Sequence, residues 1–198
     1  MTSKKKKRRQ APKQPPVHTR ILDSAMSLAA ERGWAGFALE DVARRSRMKL
    51  AEVTKICPDK NVLLALLNEE ADAAMLADDV GEGTVRDRLF ELFMRRFDAL
   101  ARWKPGVVAV VRTQDVLLPF AVRGALRNSM RQMLEAAGIG SDILREAALG
   151  IVAASVLKTW CDDESADCSK TMSVLDTRLG QLERAAEALA PLCGGKNR

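Results

Sequence analysis

The 198-residue sequence has one histidine, no closely spaced cysteine pair and no long apolar run, and each absence excludes a class of function. His18 has no nucleophile or base among its sequence neighbours, so we predict a protein that is not an enzyme and uses no cofactor. The four cysteines show no CxxC spacing and no local histidine, which predicts no metal site and a reduced, cytoplasmic location. A membrane span would need a run of about 18 apolar residues, and the sequence contains none.

Positive charge is concentrated at the start of the chain. Residues 1–16 contain seven of the 32 basic residues and no acid, and beyond them 25 basic residues face 26 acidic ones. We predict that residues 1–17 form a disordered basic tail, because a charge run that also contains Pro12, Pro15 and Pro16 cannot pack into a core. Such a tail either lies along DNA phosphates or serves only to increase solubility.

Apolar residues recur at helical spacing through the rest of the chain, and no strand pattern occurs, so we predict an all-α protein. A first helix with Ile21, Leu22 and Ala25 on its apolar face should begin at Thr19 and end before Gly33.

The segment from Leu39 to Leu64 carries two short helical patterns separated by a break at Met48. Pro58 cannot continue the second helix, and the carboxylate of Asp59 can accept hydrogen bonds from the first turn of a third helix. Two short helices that meet across a tight turn are typical of a helix-turn-helix DNA reader.

Together with the upstream stretch RILDSAMSLAAERGW, this segment resembles the N-terminal domain of the TetR/AcrR-type transcriptional regulators. The matching positions are Ile21, Leu22, Ala25, Glu31, Gly33, Trp34, Val42, Ala43, Val53, Pro58, Lys60 and Leu63. The chain departs from the family pattern at Arg47, Lys49, Ala51, Glu52, Thr54 and Cys57. The resemblance implies a helix-turn-helix domain at 18–64, a helical bundle for ligand binding and dimerisation at 65–190, and a disordered tail at 191–198.

The candidate DNA contacts lie on and around the second short helix. They are Lys49, Leu50, Glu52, Thr54 and Lys55, with Arg44, Arg45 and Arg47 flanking them. The resemblance further implies that Thr19 and Lys60 hold phosphates of a double-stranded operator. Lys49 or Arg47 could reach guanine, and Glu52 could accept from cytosine, although a carboxylate also repels phosphates. The alternative is a degenerate helix-turn-helix that is kept only as a scaffold.

The bundle should contain several longer helices. Thr84 is expected to cap one helix with Asp87, Pro119 to open another and Ser141 to cap the next. A last helix is expected from Ser169 to Leu189, after an acidic turn at 162–167 that lacks EF-hand spacing. Small residues on the helix before that turn suit a bundle centre or a dimer seam, and we expect a homodimer through the last two helices.

Aromatic and methionine side chains in the bundle are candidates for a pocket that takes a small apolar effector or a lipid. They are Phe90, Phe93, Met94, Phe97, Trp103, Phe120, Met130, Met133 and Trp160. Ordinary core packing explains the same residues equally simply.

The C-terminal half resembles a second group, the coenzyme Q biosynthesis lipid-binding proteins, in WCDDESADCSKT followed by LDTRL. Those proteins share the TetR-like fold but bind an isoprenoid lipid and assist an enzyme. They carry an amphipathic membrane helix after the body, and the last residues here, PLCGGKNR, do not form one. We therefore predict a TetR-type regulator, and more specifically a repressor, with the lipid-binding accessory protein as the alternative.

Overall fold

The computed structural model describes residues 15–113 and 120–193, and for residues 120, 121 and 190–193 only the helical backbone is described. These ranges contain helices and no strand, which confirms the all-α prediction. The helices are α1 (Val17–Arg32), α2 (Leu39–Ser46), α3 (Leu50–Ile56), α4 (Lys60–Met75), α5 (Val85–Ala101), α6 (Lys104–Thr113), α7 (Phe120–Ala136), α8 (Ile143–Asp162) and α9 (Ser169–Cys193), with a short 3-10 turn at Trp34–Gly36.

The ends of the chain meet the expected boundaries only in part. Residues 1–14 of the predicted basic tail and residues 194–198 lie outside the described residues, while Val17 already belongs to α1. The last helix continues through Cys193, past the expected boundary at 190. Among the described helices, none combines the length and the apolar character needed to cross a membrane.

Local hydrogen bonding sets most helix ends where the sequence places them. Gly33, at φ 74°, ends α1, and its N–H donates to the carbonyl of Ala29 over 2.9 Å. The carboxylate of Asp59 accepts the N–H of Asn61 at 2.7 Å and so begins α4. Thr84 caps α5 with Asp87 as expected. Each cap satisfies groups that a helix end leaves unpaired.

Helices α8 and α6 begin at other positions than their sequence patterns indicate. The carboxylate of Asp142, rather than the hydroxyl of Ser141, caps α8 by accepting the N–H of Arg145 at 2.9 Å. Both residue types are good caps, so the sequence leaves a one-residue ambiguity. Helix α6 begins at Lys104 and is longer than the apolar run at Val107 suggests. Pro105 lies in its first turn, where a missing N–H costs little.

Helices α1 and α6 cross in close contact, and this crossing joins the N-terminal helices to the bundle. A Cβ at Gly106 would lie 2.4 Å from the carbonyl oxygen of Met26, so the crossing requires glycine there. Next to it, one carboxylate oxygen of Asp23 accepts the indole N–H of Trp103 at 2.8 Å and a guanidinium N–H of Arg102 at 2.5 Å.

A buried polar network ties α4, α5 and α7 together inside the bundle. The guanidinium of Arg96 donates to the carboxylate of Asp72 and to the amide oxygen of Asn68. The hydroxyl of Ser129 donates to the other carboxylate oxygen of Asp72 at 2.6 Å. Burial lowers the pKa of Arg96 to about 10, so its guanidinium remains charged at neutral pH. The helical pattern of the sequence does not predict this network.

Hydrogen bonds to the side chain of Asp163 hold the acidic turn at 162–167 in place. Asp163 is 1% exposed, and its carboxylate accepts the N–H and the hydroxyl of Thr171 at 2.8 and 2.7 Å. Burial alone would raise the pKa of Asp163, but the hydrogen bonds from Ser165 and Thr171 lower it below the ordinary value. The turn therefore orients the start of α9, and within the described ranges no cluster of metal-ligating side chains occurs.

Candidate nucleic-acid interface

Helices α2 and α3 form a compact pair packed on α1. Val42, Ala43 and Val53 point inward and are buried. The turn between the helices consists of Arg47, Met48 and Lys49, and the N–H of Met48 donates back to the carbonyl of Ala43 at 2.9 Å. The segment thus has the helix-turn-helix form that the sequence predicts, with its other face open to solvent.

We give four basic side chains of this segment one name, the cationic surface: Arg44, Arg47, Lys49 and Lys55. All four are exposed, and the side chain of Arg44 is 77% exposed while it pairs with Asp41 at 3.3 Å. In the described part of the chain, no ion pair or hydrogen bond engages the charged groups of Arg47, Lys49 or Lys55. These groups are placed to meet an external anion.

Helix α3 also exposes a residue that was not among our candidates. Its core residue is Val53, and at 100° per residue Ala51 and Lys55 point most directly away from it. Ala51 is exposed and could contact the methyl group of thymine. The helical spacing alone would have identified it, but the candidate set favoured polar side chains.

The side chains of two other candidates on α3 form hydrogen bonds to the backbone of the helix or of its cap. The carboxylate of Glu52 accepts the backbone N–H of Lys49 at 3.0 Å and so caps α3, while the residue stays exposed to solvent. The hydroxyl of Thr54 donates to the carbonyl of Leu50 at 3.0 Å. Leu50 itself is 39% exposed at the edge of the helix. The remaining lone pairs of the Glu52 carboxylate stay available, so its contact with cytosine remains a prediction.

The side chain of Arg45 bonds within the N-terminal helices α1, α2 and α3, which we call the head. Its guanidinium donates to both carboxylate oxygens of Glu31, at 2.5 and 2.6 Å, and to the hydroxyl of Ser27 at 2.5 Å. The hydrogen bond from Arg45 lowers the pKa of Glu31, with a smaller opposing effect of burial. This fork joins α2 to α1, so Arg45 is committed to internal contacts.

Lys60 is turned inward as well. Its ammonium donates to the carbonyls of Trp34 and Phe37, the latter at 2.7 Å, and lies 3.9 Å from the centroid of the Phe37 ring. Burial lowers the pKa of Lys60. The phosphate contact implied by the resemblance does not agree with this placement. Thr19, the other implied phosphate contact, is partly exposed in the first turn of α1.

Replacing Lys60 by methionine should lower the free energy of unfolding by about 1–3 kcal/mol, because two buried carbonyls lose their donor. It should leave the salt dependence of DNA binding unchanged. Chemical denaturation measures the first quantity, and Lys55→Met on the exposed surface is the matched control, with no loss of stability. A stable Lys60→Met protein with a shallower salt dependence would show that Lys60 faces phosphate after all.

The predicted effector residues form a packed core in this arrangement. Phe93, Phe97, Trp103, Met130, Met133 and Trp160 are all buried. The ring centroids of Phe97 and Trp160 are 5.5 Å apart and nearly parallel. Phe90 and Met94 are partly buried, and the side chain of Phe120 lies outside the described residues.

Two surface concavities occur elsewhere on the described part of the protein. One of about 260 Å³ lies beside Asp72 between α4 and α7. The other, of about 280 Å³, lies where α1 meets the start of α6, and Trp103 is the predicted effector residue that lines it. Neither concavity is lined by Phe93, Phe97 or Trp160, and the effector residues stay a prediction.

Comparison with known proteins places this geometry in context. No family model matches the chain, and no curated protein matches it in sequence. A solved TetR transcriptional regulator from Nitrosomonas europaea aligns with a TM-score of 0.72 at 22% identity, covering 86% of this chain and 99% of that one. The chain has the TetR-like fold.

Two further TetR-like structures agree with this assignment. A TetR transcriptional regulator from Rhodococcus sp. RHA1 gives a TM-score of 0.63 at 20% identity, over 83% of this chain and 94% of that one. The regulator FadR from Bacillus subtilis, solved with stearoyl-CoA, gives 0.57 at 16% identity, over 83% of this chain and 97% of that one. At these identities the likeness establishes the TetR-like fold and leaves the activity to be argued from the site.

Proposed function

We propose that the protein is a cytoplasmic TetR-type transcriptional repressor that binds a double-stranded DNA operator through α2 and α3. The observation that carries this proposal is that the polar side chains of the helix-turn-helix fall into two groups. Arg45, Glu52 and Lys60 bond within the head, whereas the cationic surface of Arg44, Arg47, Lys49 and Lys55 faces solvent. A basic face on an otherwise near-neutral body fits a nucleic acid.

The outer side of α8 supports a homodimer. Ile143, Leu144 and Ile151 are 72%, 72% and 73% exposed, although the opposite side of the same helix is buried in the bundle. Large apolar side chains grouped on one exposed helix face are typical of a surface that another chain covers. A second copy, packed through α8 and α9, would bring two heads to successive major grooves.

Release of DNA requires an effector that distinguishes two arrangements of the dimer. We propose a small apolar molecule or a lipid that enters the bundle among its aromatic and methionine side chains. Because Phe93, Phe97 and Trp160 are packed against one another here, the effector would favour a different, more open arrangement. FadR, a regulator of similar fold, was solved in complex with stearoyl-CoA, which supports an effector that carries an apolar chain. The coenzyme Q resemblance gains no support from the three structures compared above.

Selection of binding sites from a library of random DNA duplexes tests the proposal. We expect enrichment of a near-palindrome whose half-sites lie about 10 base pairs apart, or a multiple of that spacing, since two heads read one face of the duplex. A chain that lacks residues 1–14 is the control and should select the same sequence. Enrichment of a single half-site would contradict the dimer, and no enrichment at all would contradict sequence-specific binding.

A further inference from the structure

The turn between α2 and α3 contains a residue in an uncommon backbone conformation. Arg47 has φ 56° and ψ 41°, in the left-handed region that suits glycine and disfavours side chains with a Cβ. In the described ranges, Cys168 is the other non-glycine residue with positive φ. Any residue at position 47 would close the end of α2 through its N–H, which donates to the carbonyl of Arg44 at 3.3 Å. The backbone geometry therefore gives no reason for arginine.

The side chain of Arg47 does not offset the strained backbone with an ion pair or a hydrogen bond of its own among the described residues. It is exposed, and no ion pair or side-chain hydrogen bond in the described part of the protein engages its guanidinium. Glycine at this position would relieve the backbone without removing an ion pair or a side-chain hydrogen bond. Backbone strain of this kind persists most often where function requires it.

The surroundings of Arg47 indicate what that function is. Arg44 and Lys49 are exposed on either side of it, at the end of α2 and the start of α3. A guanidinium is a planar fork that binds a phosphate, or the O6 and N7 atoms of guanine, through two hydrogen bonds. Placed on the turn itself, it extends the cationic surface across the gap between the two helices.

We propose that Arg47 contacts DNA directly and that the chain accepts a strained turn in order to hold this guanidinium there. Position 47 thus exchanges stability for DNA affinity. The inference rests on the proposed DNA-binding function and adds a residue-level role to it.

Arg47→Gly in the full-length chain tests the proposal with two measurements. The melting temperature should rise by about 2 °C, because strain is relieved while the unfolded chain gains some freedom. Operator affinity at physiological salt should fall by about 10-fold. Arg47→Lys keeps both the charge and the strain, so it should not raise the melting temperature. Arg123→Gln removes an exposed charge from α7 and should change neither quantity.

The salt dependence of binding identifies the DNA group that is contacted. For a phosphate, the slope of log affinity against log salt should become shallower by about 1 per head in Arg47→Gly and stay unchanged in Arg47→Lys. If Arg47 contacts guanine, the slope in Arg47→Gly should stay unchanged, and the preference for guanine at one operator position should become weaker.

Three results would overturn the proposal. The first is a melting temperature that falls in Arg47→Gly, which would mean that the turn is not strained. The second is unchanged affinity, slope and base preference in Arg47→Gly while the wild-type chain binds its operator, which would leave the proposed function standing. The third is a wild-type chain that binds no DNA sequence preferentially, which would remove the proposed function as well.

Discussion

Replacing both Lys49 and Lys55 by glutamate should lower operator affinity at physiological salt by at least about 1000-fold. Each substitution removes a positive charge that faces solvent and introduces a negative one, and a dimer carries each change twice. Both lysines are exposed, and neither forms an ion pair in the described part of the chain. The fold should therefore remain intact, with an unchanged melting temperature.

A gel-shift titration measures this effect, and reversal of two exposed charges on the bundle is its matched control. Arg123→Glu with Arg131→Glu makes the same change in net charge on α7, away from the head. The control should lose much less affinity than the head variant. Equal losses in the two variants would mean that binding follows net charge alone, and no loss in either would point to the lipid-binding alternative.

Replacing Arg96 by alanine should lower the free energy of unfolding by about 3–5 kcal/mol, because it leaves the Asp72 carboxylate buried without its cation. Asp72 and Arg96 are 7% and 8% exposed, so both charges depend mainly on partners within the protein. The same variant should loosen the contact between α4 and α5, since the pair joins those two helices. Chemical denaturation with urea measures the change.

A double-mutant cycle separates the ion pair from the cavity that alanine creates. Asp72→Ala with Arg96→Ala removes both charges, so it should cost less than the sum of the two single substitutions. The shortfall measures the penalty of an unpaired buried charge. Additive losses would show that Asp72 and Arg96 act independently and that the network does not hold α4 to α5.

The features that the sequence predicted are those that depend on near neighbours. Gly33, Asp59 and the Thr84–Asp87 pair end or begin helices through groups a few residues away, and their roles follow from residue type and position. Even here the predicted position can be wrong by one residue, since Asp142 rather than Ser141 caps α8.

The features that the sequence did not predict depend on partners far along the chain. Lys60 bonds to carbonyls 26 and 23 residues away, and Arg96 bonds to side chains 24 and 28 residues away. A single sequence does not state which distant groups will face each other. The resemblance consequently placed Lys60 on a phosphate, whereas the fold places it inside.

The aromatic and methionine residues of the bundle illustrate a second limit. A ligand pocket and a solid core use the same side chains at the same helical spacing, so composition cannot separate them. In this structure Phe93, Phe97 and Trp160 pack together. Whether they separate for an effector depends on the relative energies of two arrangements, which a helical pattern does not encode.

The most direct test of the central claim is a gel-shift titration of the full-length protein against the DNA upstream of its own gene, with random duplex as competitor. We expect a complex that survives excess competitor at physiological salt, because base contacts add to the phosphate attraction. A complex that disappears with competitor or with salt would contradict it, because general electrostatic attraction by the basic N-terminal residues would then account for all binding.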